Sequence, residues 1–140
     1  MRNILAEAWA EDLEERSSVR VYPQRRGAEA DVPFAVVRVP ELEQVIGGSD
    51  VWYGEVQVVV VRDIALAGGS AVTAHHQAVR EIYTALEQTP KNGVDPVRQV
   101  RLFGYQLTRH EEVQVSGPRG EKVYADVFFL TVGAGLAKLT

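Results

Sequence analysis

The sequence has no cysteine, which excludes disulfide bonds, thiol catalysis and cysteine-ligated zinc. It has no apolar run that approaches the roughly 20 residues of a membrane helix, and its first residues lack the apolar core of a secretory signal. Basic residues are not in excess, because 15 Lys and Arg face 19 Asp and Glu, for a net charge of −4. These absences argue against secretion, membrane insertion and nucleic-acid binding, and predict synthesis in the cytoplasm.

The composition that remains is that of a globular protein. The chain has 140 residues, of which 46% are hydrophobic and 24% are charged. These proportions are ordinary for a folded domain. The length predicts a single domain over residues 1–140 that buries roughly two-thirds of its unfolded surface.

Two segments have the periodicity of amphipathic helices. The first covers residues 1–17, with apolar residues on one face and acidic residues mostly on the other. The second is predicted over residues 71–88, capped by Ser70 and closed by Thr89-Pro90. The apolar stripe of the first helix consists of Ile4, Leu5, Ala8, Trp9 and Leu13, and that of the second of Val72, His75 or His76, Val79, Ile82 and Leu86.

Runs of β-branched residues bounded by Pro and Gly predict the strands. The predicted strands are Val19–Tyr22, Phe34–Val39 (ended by Pro40), Tyr53–Val61, Val97–Leu102, and a long hairpin of Gly104–Val115 with Glu121–Val132. The segments Glu41–Asp50 and Lys91–Pro96 are predicted loops, and residues 133–140 are a predicted loose tail. This order predicts an α+β fold with a mixed, mainly antiparallel sheet packed with two helices and a long C-terminal β-hairpin.

Two strands are apolar on both of their faces. Val58–Val61 and Val127–Leu130 are apolar at four consecutive positions each, and successive strand residues point to opposite faces. Such a sheet has to be covered on both sides. Two explanations stay open: one helix covers each face, or both helices cover one face and a neighbouring subunit covers part of the other.

No catalytic, cofactor or metal site is predicted, and we expect that the protein is not an enzyme. Gly68-Gly69-Ser70 has the outline of a phosphate cradle, but no Lys follows as in a P-loop, so an ordinary loop is favoured. The adjacent His75 and His76 do not share a helix face, and solvated histidines are favoured over a site that joins His110 to this helix. Four carboxylates could serve in acid–base catalysis, but we interpret them as charges on the surface or at strand edges. They are Asp63, Glu111, Glu112 and Asp126.

Several residues are candidates for contact with another subunit or protein. Arginine is favoured at polar interfaces, exposed aromatic residues can anchor a partner, and strand valines can supply apolar area. The candidates are Arg25, Arg26, Trp52, Tyr53, Val59, Val60 and Arg119.

The order of these elements resembles the tail terminator, or tail completion, proteins of long-tailed bacteriophages. Asp31-Val-Pro-Phe-Ala-Val-Val-Arg-Val39 is similar to the first core strand of that family, and Glu55–Val61 is similar to the next strand. Gly104-Tyr105 and Arg109-His110-Glu111-Glu112 resemble the segment that opens the final hairpin. The resemblance covers residues 4–132 and fails at the loop Glu41–Asp50 and after Gly133.

The resemblance implies a structural virion protein that forms a ring, usually of six subunits, on the head-proximal end of the tail tube. Such a minor tail protein stops tube polymerisation and presents a docking surface for head–tail joining. The implied partners are further copies of the chain, the tail tube protein and the head–tail connector protein, without a cofactor or a membrane. DNA would pass through the lumen of the ring without specific binding, in a virion or in a gene-transfer particle.

Two alternatives stay open. The first is another neck or connector component, which also needs a ring but binds on the head side. The second is a small α+β domain that binds an anion or a nucleotide at Gly68–Ser70.

Overall fold

The computed structural model describes residues 1–23, 34–45, 50–63, 69–88, 92–95, 100–116 and 122–136. These residues form two helices and six strands, and they confirm the predicted α+β class with its long C-terminal hairpin. In chain order the elements are α1 (Arg2–Arg16), β1 (Arg20–Pro23), β2 (Phe34–Gln44), β3 (Val51–Asp63), α2 (Gly69–Gln88), β4 (Asn92–Asp95), β5 (Val100–Ser116) and β6 (Lys122–Leu136).

The strands form one sheet in the order β1-β2-β3-β6-β5-β4. Among the described strands, β1 and β2 alone pair in parallel, whereas the other neighbouring pairs are antiparallel. The longest strands, β3, β5 and β6, lie next to one another, so that the centre of the sheet is also its most extensively paired region.

Both helices pack on the same face of the sheet, which we call the helix face. Trp9 of α1 and Ile82 of α2 belong to one core cluster with alternate residues of the central strands. Trp9 is fully buried and meets the ring of Tyr105 edge-on, with centroids 5.0 Å apart. The strand residues of this cluster are Ala35, Val37 and Val39 of β2, Val56, Val58 and Val60 of β3, and Phe128, Leu130, Val132 and Ala134 of β6.

The opposite side of the sheet, which we call the open face, carries the residues that alternate with those of the core cluster. The alternative of one helix on each face is therefore wrong. Both helices cover the same face of the sheet, as the second alternative expected. The apolar stripes predicted for the helices are largely correct, although Ile4 is exposed rather than buried.

The predicted end of β2 at Pro40 is wrong, since the strand continues to Gln44. The register with β3 shifts between Arg38 and Glu41, so Pro40 lies in a bulge. A bulge tolerates proline because the extra residue does not need to donate a ladder hydrogen bond. Opposite this bulge, a side chain on Gly54 would collide with the carbonyl oxygen of Glu41, so glycine permits the close approach of the two strands.

The expectation of a loose tail after Gly133 is also wrong for its first residues, because β6 extends to Leu136. Ala134 belongs to the core cluster and is fully buried. A side chain on Gly133 would lie 2.9 Å from the ring of Phe103 and 3.0 Å from that of Tyr53, so glycine leaves room for both rings beside the strand. Residues 137–140 are outside the described part of the chain.

Three further boundaries differ from their predictions. The helix α2 begins at Gly69, so Ser70 is its second residue rather than its cap. The predicted loop Lys91–Pro96 contains the strand β4. Of the separate strand expected at Val97–Leu102, residues 100–102 instead begin β5, and residues 97–99 are outside the described part of the chain. Pairing with neighbouring strands decides these boundaries, and local sequence signals do not contain that information.

Candidate interface on the open face of the sheet

The open face is built by one side of each central strand, and its register is regular. Val59 of β3 is paired with Val36 of β2 and with Val127 of β6, and all three side chains point to the same side. One step away, Val61 is paired with Phe34 and Ala125 in the same way. The apolar residues therefore lie in adjacent rows across three strands.

These rows contain a separate apolar cluster, which we call the apolar patch. Its buried members are Val59, Ala125 and Val127, and the half-buried residues around them are Val61, Val113 and Phe129. Neither α1 nor α2 contributes a residue to it. Within the described part of the chain, the patch is thus covered only by side chains of its own sheet.

A polar border lies on the open face beside the apolar patch. The guanidinium of Arg109 lies 4.0 Å from the ring centroid of Phe129, in a cation–π contact. The same Arg109 forms an ion pair with Glu111 at 3.1 Å, between Nε and Oε1. On β3, which lies on the other side of β6, Gln57 donates a hydrogen bond to Glu55 at 3.0 Å. An apolar centre with a polar, charged rim is the general anatomy of a protein–protein interface.

The two candidate valines of β3 lie on opposite faces. Val59 belongs to the apolar patch, whereas Val60 is fully buried in the core cluster beneath the helices. Val59 is 8% exposed and lies on the face that neither helix covers, so of the two valines only Val59 is on the side of the candidate interface. The alternation of side chains along a strand explains the separation, but the sequence alone does not say which face the helices cover.

The two candidate aromatic residues lie near the beginning of β3. Tyr53 is 47% exposed on the open face and meets the ring of Phe103 edge-on at 6.0 Å. Trp52 is half-buried and is paired with Ala134, which places it on the helix face. Tyr53 is therefore the aromatic residue available at the rim of the open face. The other candidates, Arg25, Arg26 and Arg119, lie outside the described residues.

A cluster of three polar side chains, His75, Asp126 and His110, lies on the helix face. Asp126 of β6 accepts hydrogen bonds from both histidines, from His75 Nε2 at 2.6 Å and from His110 Nε2 at 2.8 Å. The ring of His110 also stacks on Phe128, with centroids 4.3 Å apart. The carboxylate therefore connects the long helix to the two strands of the hairpin.

The expectation of solvated histidines is wrong for His75, which is buried and whose Nδ1 has no hydrogen-bond partner. His110 is the exposed member of the cluster, and Asp126 joins it to His75 of α2. No group of metal-binding side chains is found among the described residues. An isolated acid within the apolar run of β6 is the sequence signal that could have identified Asp126, because such residues are usually paired.

Tyr83 of α2 lies near this cluster and faces solvent, with its ring tilted against Phe128 at 6.3 Å. The hydrogen bond from its phenol to the Glu87 carboxylate, together with the negative charge of Glu87, raises the pKa of Tyr83 above its ordinary value. The phenol is therefore neutral at physiological pH, and it acts as a hydrogen-bond donor to the next turn of the helix.

The proposed anion cradle receives little support from the fold. Gly69 and Ser70 are part of α2, and Gly68 lies outside the described residues. Glu111 and Glu112 lie on β5, the outer strand of the hairpin, in agreement with the expected strand-edge charge. That expectation is wrong for Asp126, which lies on the central strand β6 and is largely buried between two histidines. The side chain of Asp63 is outside the described part of the structure. In the described part of the chain, no helix is long and apolar enough to cross a membrane.

The chain matches no protein-family model and no curated protein sequence. The geometry of the described residues is therefore the basis for assigning a function. The open face, with the apolar patch and its charged border, is the feature that this geometry identifies as a candidate interface.

Proposed function

We propose that this chain is a structural protein of a phage-type tail that forms a ring on the head-proximal end of the tail tube. It ends tube polymerisation there and presents a docking surface to the head–tail connector. The observation that carries the proposal is the apolar patch on the open face, which exists because both helices lie on the other side of the sheet. The specific role, ending the tail tube, is inferred from the resemblance of the order of elements to that of the tail terminator proteins.

The open face suits a contact between subunits for a physical reason. Burying the ring of Phe129 and the exposed parts of Val61 and Val113 removes apolar area from water, at roughly 25 cal/mol per Å². Arg109 and Glu111 at the border can exchange their ion pair within one chain for pairs with a neighbour. A closed ring requires such contacts to join two different surfaces of each subunit.

The valines on the two faces provide the first test. Lysine at Val59 places a charge on the apolar patch, so Val59→Lys is expected to give folded, monomeric protein. Lysine at Val60 places the charge in the core, so Val60→Lys is expected to abolish folding. Circular dichroism measures folding, and sedimentation velocity over a wide concentration range measures association. If wild type is a strict compact dimer, or if Val59→Lys unfolds as Val60→Lys does, the ring proposal loses its basis.

The second test concerns the role on the tail. The purified protein is added to polymerising tail tube protein, and the length and ends of the tubes are observed in negative stain. We expect shorter tubes with an additional ring at one end. Binding to the head connector without binding to tube ends would instead assign the chain to the neck.

A further inference from the structure

Two neighbouring rows of side chains on the open face carry opposite charges. The first, which we call the basic row, crosses four paired strands and consists of Arg38, Gln57, Phe129 and Arg109. The second, which we call the acidic row, crosses the same strands one step further along and consists of Glu41, Glu55, Thr131 and Gln106. Both arginines and Glu41 are exposed, so the charge of each row faces solvent.

The acidic row contains an unfavourable pair of charges. Glu41 and Glu55 lie directly opposite each other on β2 and β3, and like charges at such positions destabilise a sheet. Gln57 donates a hydrogen bond to Glu55, but a neutral amide does not cancel the charge. Among the described residues, no ion pair joins Arg38 to either glutamate. A cation from another molecule would therefore stabilise this row.

The end of the open face beyond the acidic row is apolar and exposed. Tyr53 is 47% exposed, and its ring and that of Phe103 lie beside Gly133. Val45, which follows β2, is 52% exposed. We call Tyr53, Phe103 and Val45 the aromatic end. Along the strands, the order on the open face is thus the apolar patch, the basic row, the acidic row and the aromatic end.

We propose that two copies of the chain pack their open faces together around a two-fold axis that runs across the strands, between the basic row and the acidic row. This rotation reverses the order of the rows, so the basic row of each copy meets the acidic row of the other. On β2, Arg38 of each copy faces Glu41 of the other, and this contact occurs twice. On β3, Tyr53 faces Val59 in the same way, so the aromatic end packs on the apolar patch.

The area of the open face is sufficient for such a pair. Six rows cross β2, β3, β6 and β5, from the row of Val61 to that of Val51. With rows about 7 Å apart and strands about 4.8 Å apart, they cover roughly 800 Å². A standard interface buries about this area on each partner. Most of the new burial comes from the charged rows and the aromatic end, because Val59 is only 8% exposed before pairing.

The two central rows tolerate the usual geometry of stacked sheets. Packed sheets keep their strand directions within about 30° of each other, and the displacement that this angle causes grows with distance from the axis. The basic and acidic rows lie next to the axis, so their oppositely charged side chains stay within reach of each other.

This pairing goes beyond the proposed function and does not depend on it. Both use the open face, so the pair is a resting form that dissociates before a ring assembles on the tube. A dissociation constant on the order of 1 μM permits this exchange. A strict dimer, which excludes the ring, would instead stay paired on dilution.

The test uses two charge reversals in separate variants of the full chain, Arg38→Glu and Glu41→Arg. Each variant places like charges opposite each other twice, so each is expected to weaken pairing by about 10-fold to 100-fold. An equimolar mixture of the two variants is expected to recover most of the wild-type affinity, because both contacts of a mixed pair again join opposite charges. Sedimentation equilibrium measures the association constants.

Arg80→Glu is the matched control, because it makes the same charge change at an exposed position on α2. Its pairing is expected to equal that of wild type, and thermal unfolding by circular dichroism verifies that each variant is folded. Normal pairing of either single variant, or the absence of recovery in the mixture, would overturn the proposal.

The wild-type chain separates this proposal from the proposed function. A chain that stays monomeric at millimolar concentration would overturn the pairing, whereas capping of tube ends by that monomer would leave the proposed function intact. Reversible pairs that never cap a tube would support the pairing and refute the function.

Discussion

Phe128 and Phe129 are adjacent in the sequence but lie in two different environments. Phe128 is fully buried on the helix face, within the core cluster that both helices share. Phe129 is half-buried at the margin of the apolar patch, where the guanidinium of Arg109 covers its ring. Residues on the helix face are buried by the two helices that pack on the sheet. Residues on the open face are buried only by neighbouring side chains of the described strands. The helix face therefore contains the main core, and the open face contains a smaller cluster that is the candidate interface.

The largest expected effect separates these two phenylalanines. Phe128→Ala is expected to lower the free energy of unfolding by about 3–5 kcal/mol, because it leaves a cavity in the core. Phe129→Ala is expected to cost only about 1–2 kcal/mol, since the site is partly exposed and can relax. Urea unfolding monitored by circular dichroism, at a concentration where the protein is monomeric, measures both values. Equal losses would show that the open face is packed as firmly as the core.

A smaller effect is expected at the polar cluster on the helix face. Asp126→Ala removes the acceptor of both histidines and leaves buried His75 without a partner on either ring nitrogen. The expected loss is about 1–3 kcal/mol, the cost of leaving a buried polar group unsatisfied. The matched change His110→Ala should cost less, because that side chain is exposed. Chemical unfolding of the two variants gives the values, and a larger loss at His110 would contradict this assignment of the two roles.

Much of the fold could be predicted from local patterns. The apolar stripe of α2 and the long hairpin follow from periods that a single segment contains. The continuation of β2 through Pro40 could not be predicted, because it depends on a bulge against β3. The strand at Gly133–Leu136 was missed for a similar reason, since small residues look flexible until an aromatic ring packs on them.

The candidate interface was only partly predictable. Four consecutive valines in β3 indicate that both faces are apolar, but the sequence does not determine that both helices choose the same side. Hence Val59 and Val60 were equivalent candidates until the sheet was seen. The cluster around Asp126 joins residues 51 and 16 positions apart, and such contacts have no local signal.

The smallest expected effect concerns the border of the apolar patch. Arg109→Ala removes the cation above the ring of Phe129, which should lower the free energy of unfolding by about 0.5–1 kcal/mol. The guanidinium is largely exposed, so solvent screening places the value towards the lower end. Arg101→Ala is the control, because Arg101 is exposed on the same face of the same strand. Its stability should equal that of wild type in the same unfolding measurement. If the two variants are equally stable, the contact between Arg109 and Phe129 does not stabilise the fold. Arg109 could then move off the ring of Phe129 at little cost when a partner binds.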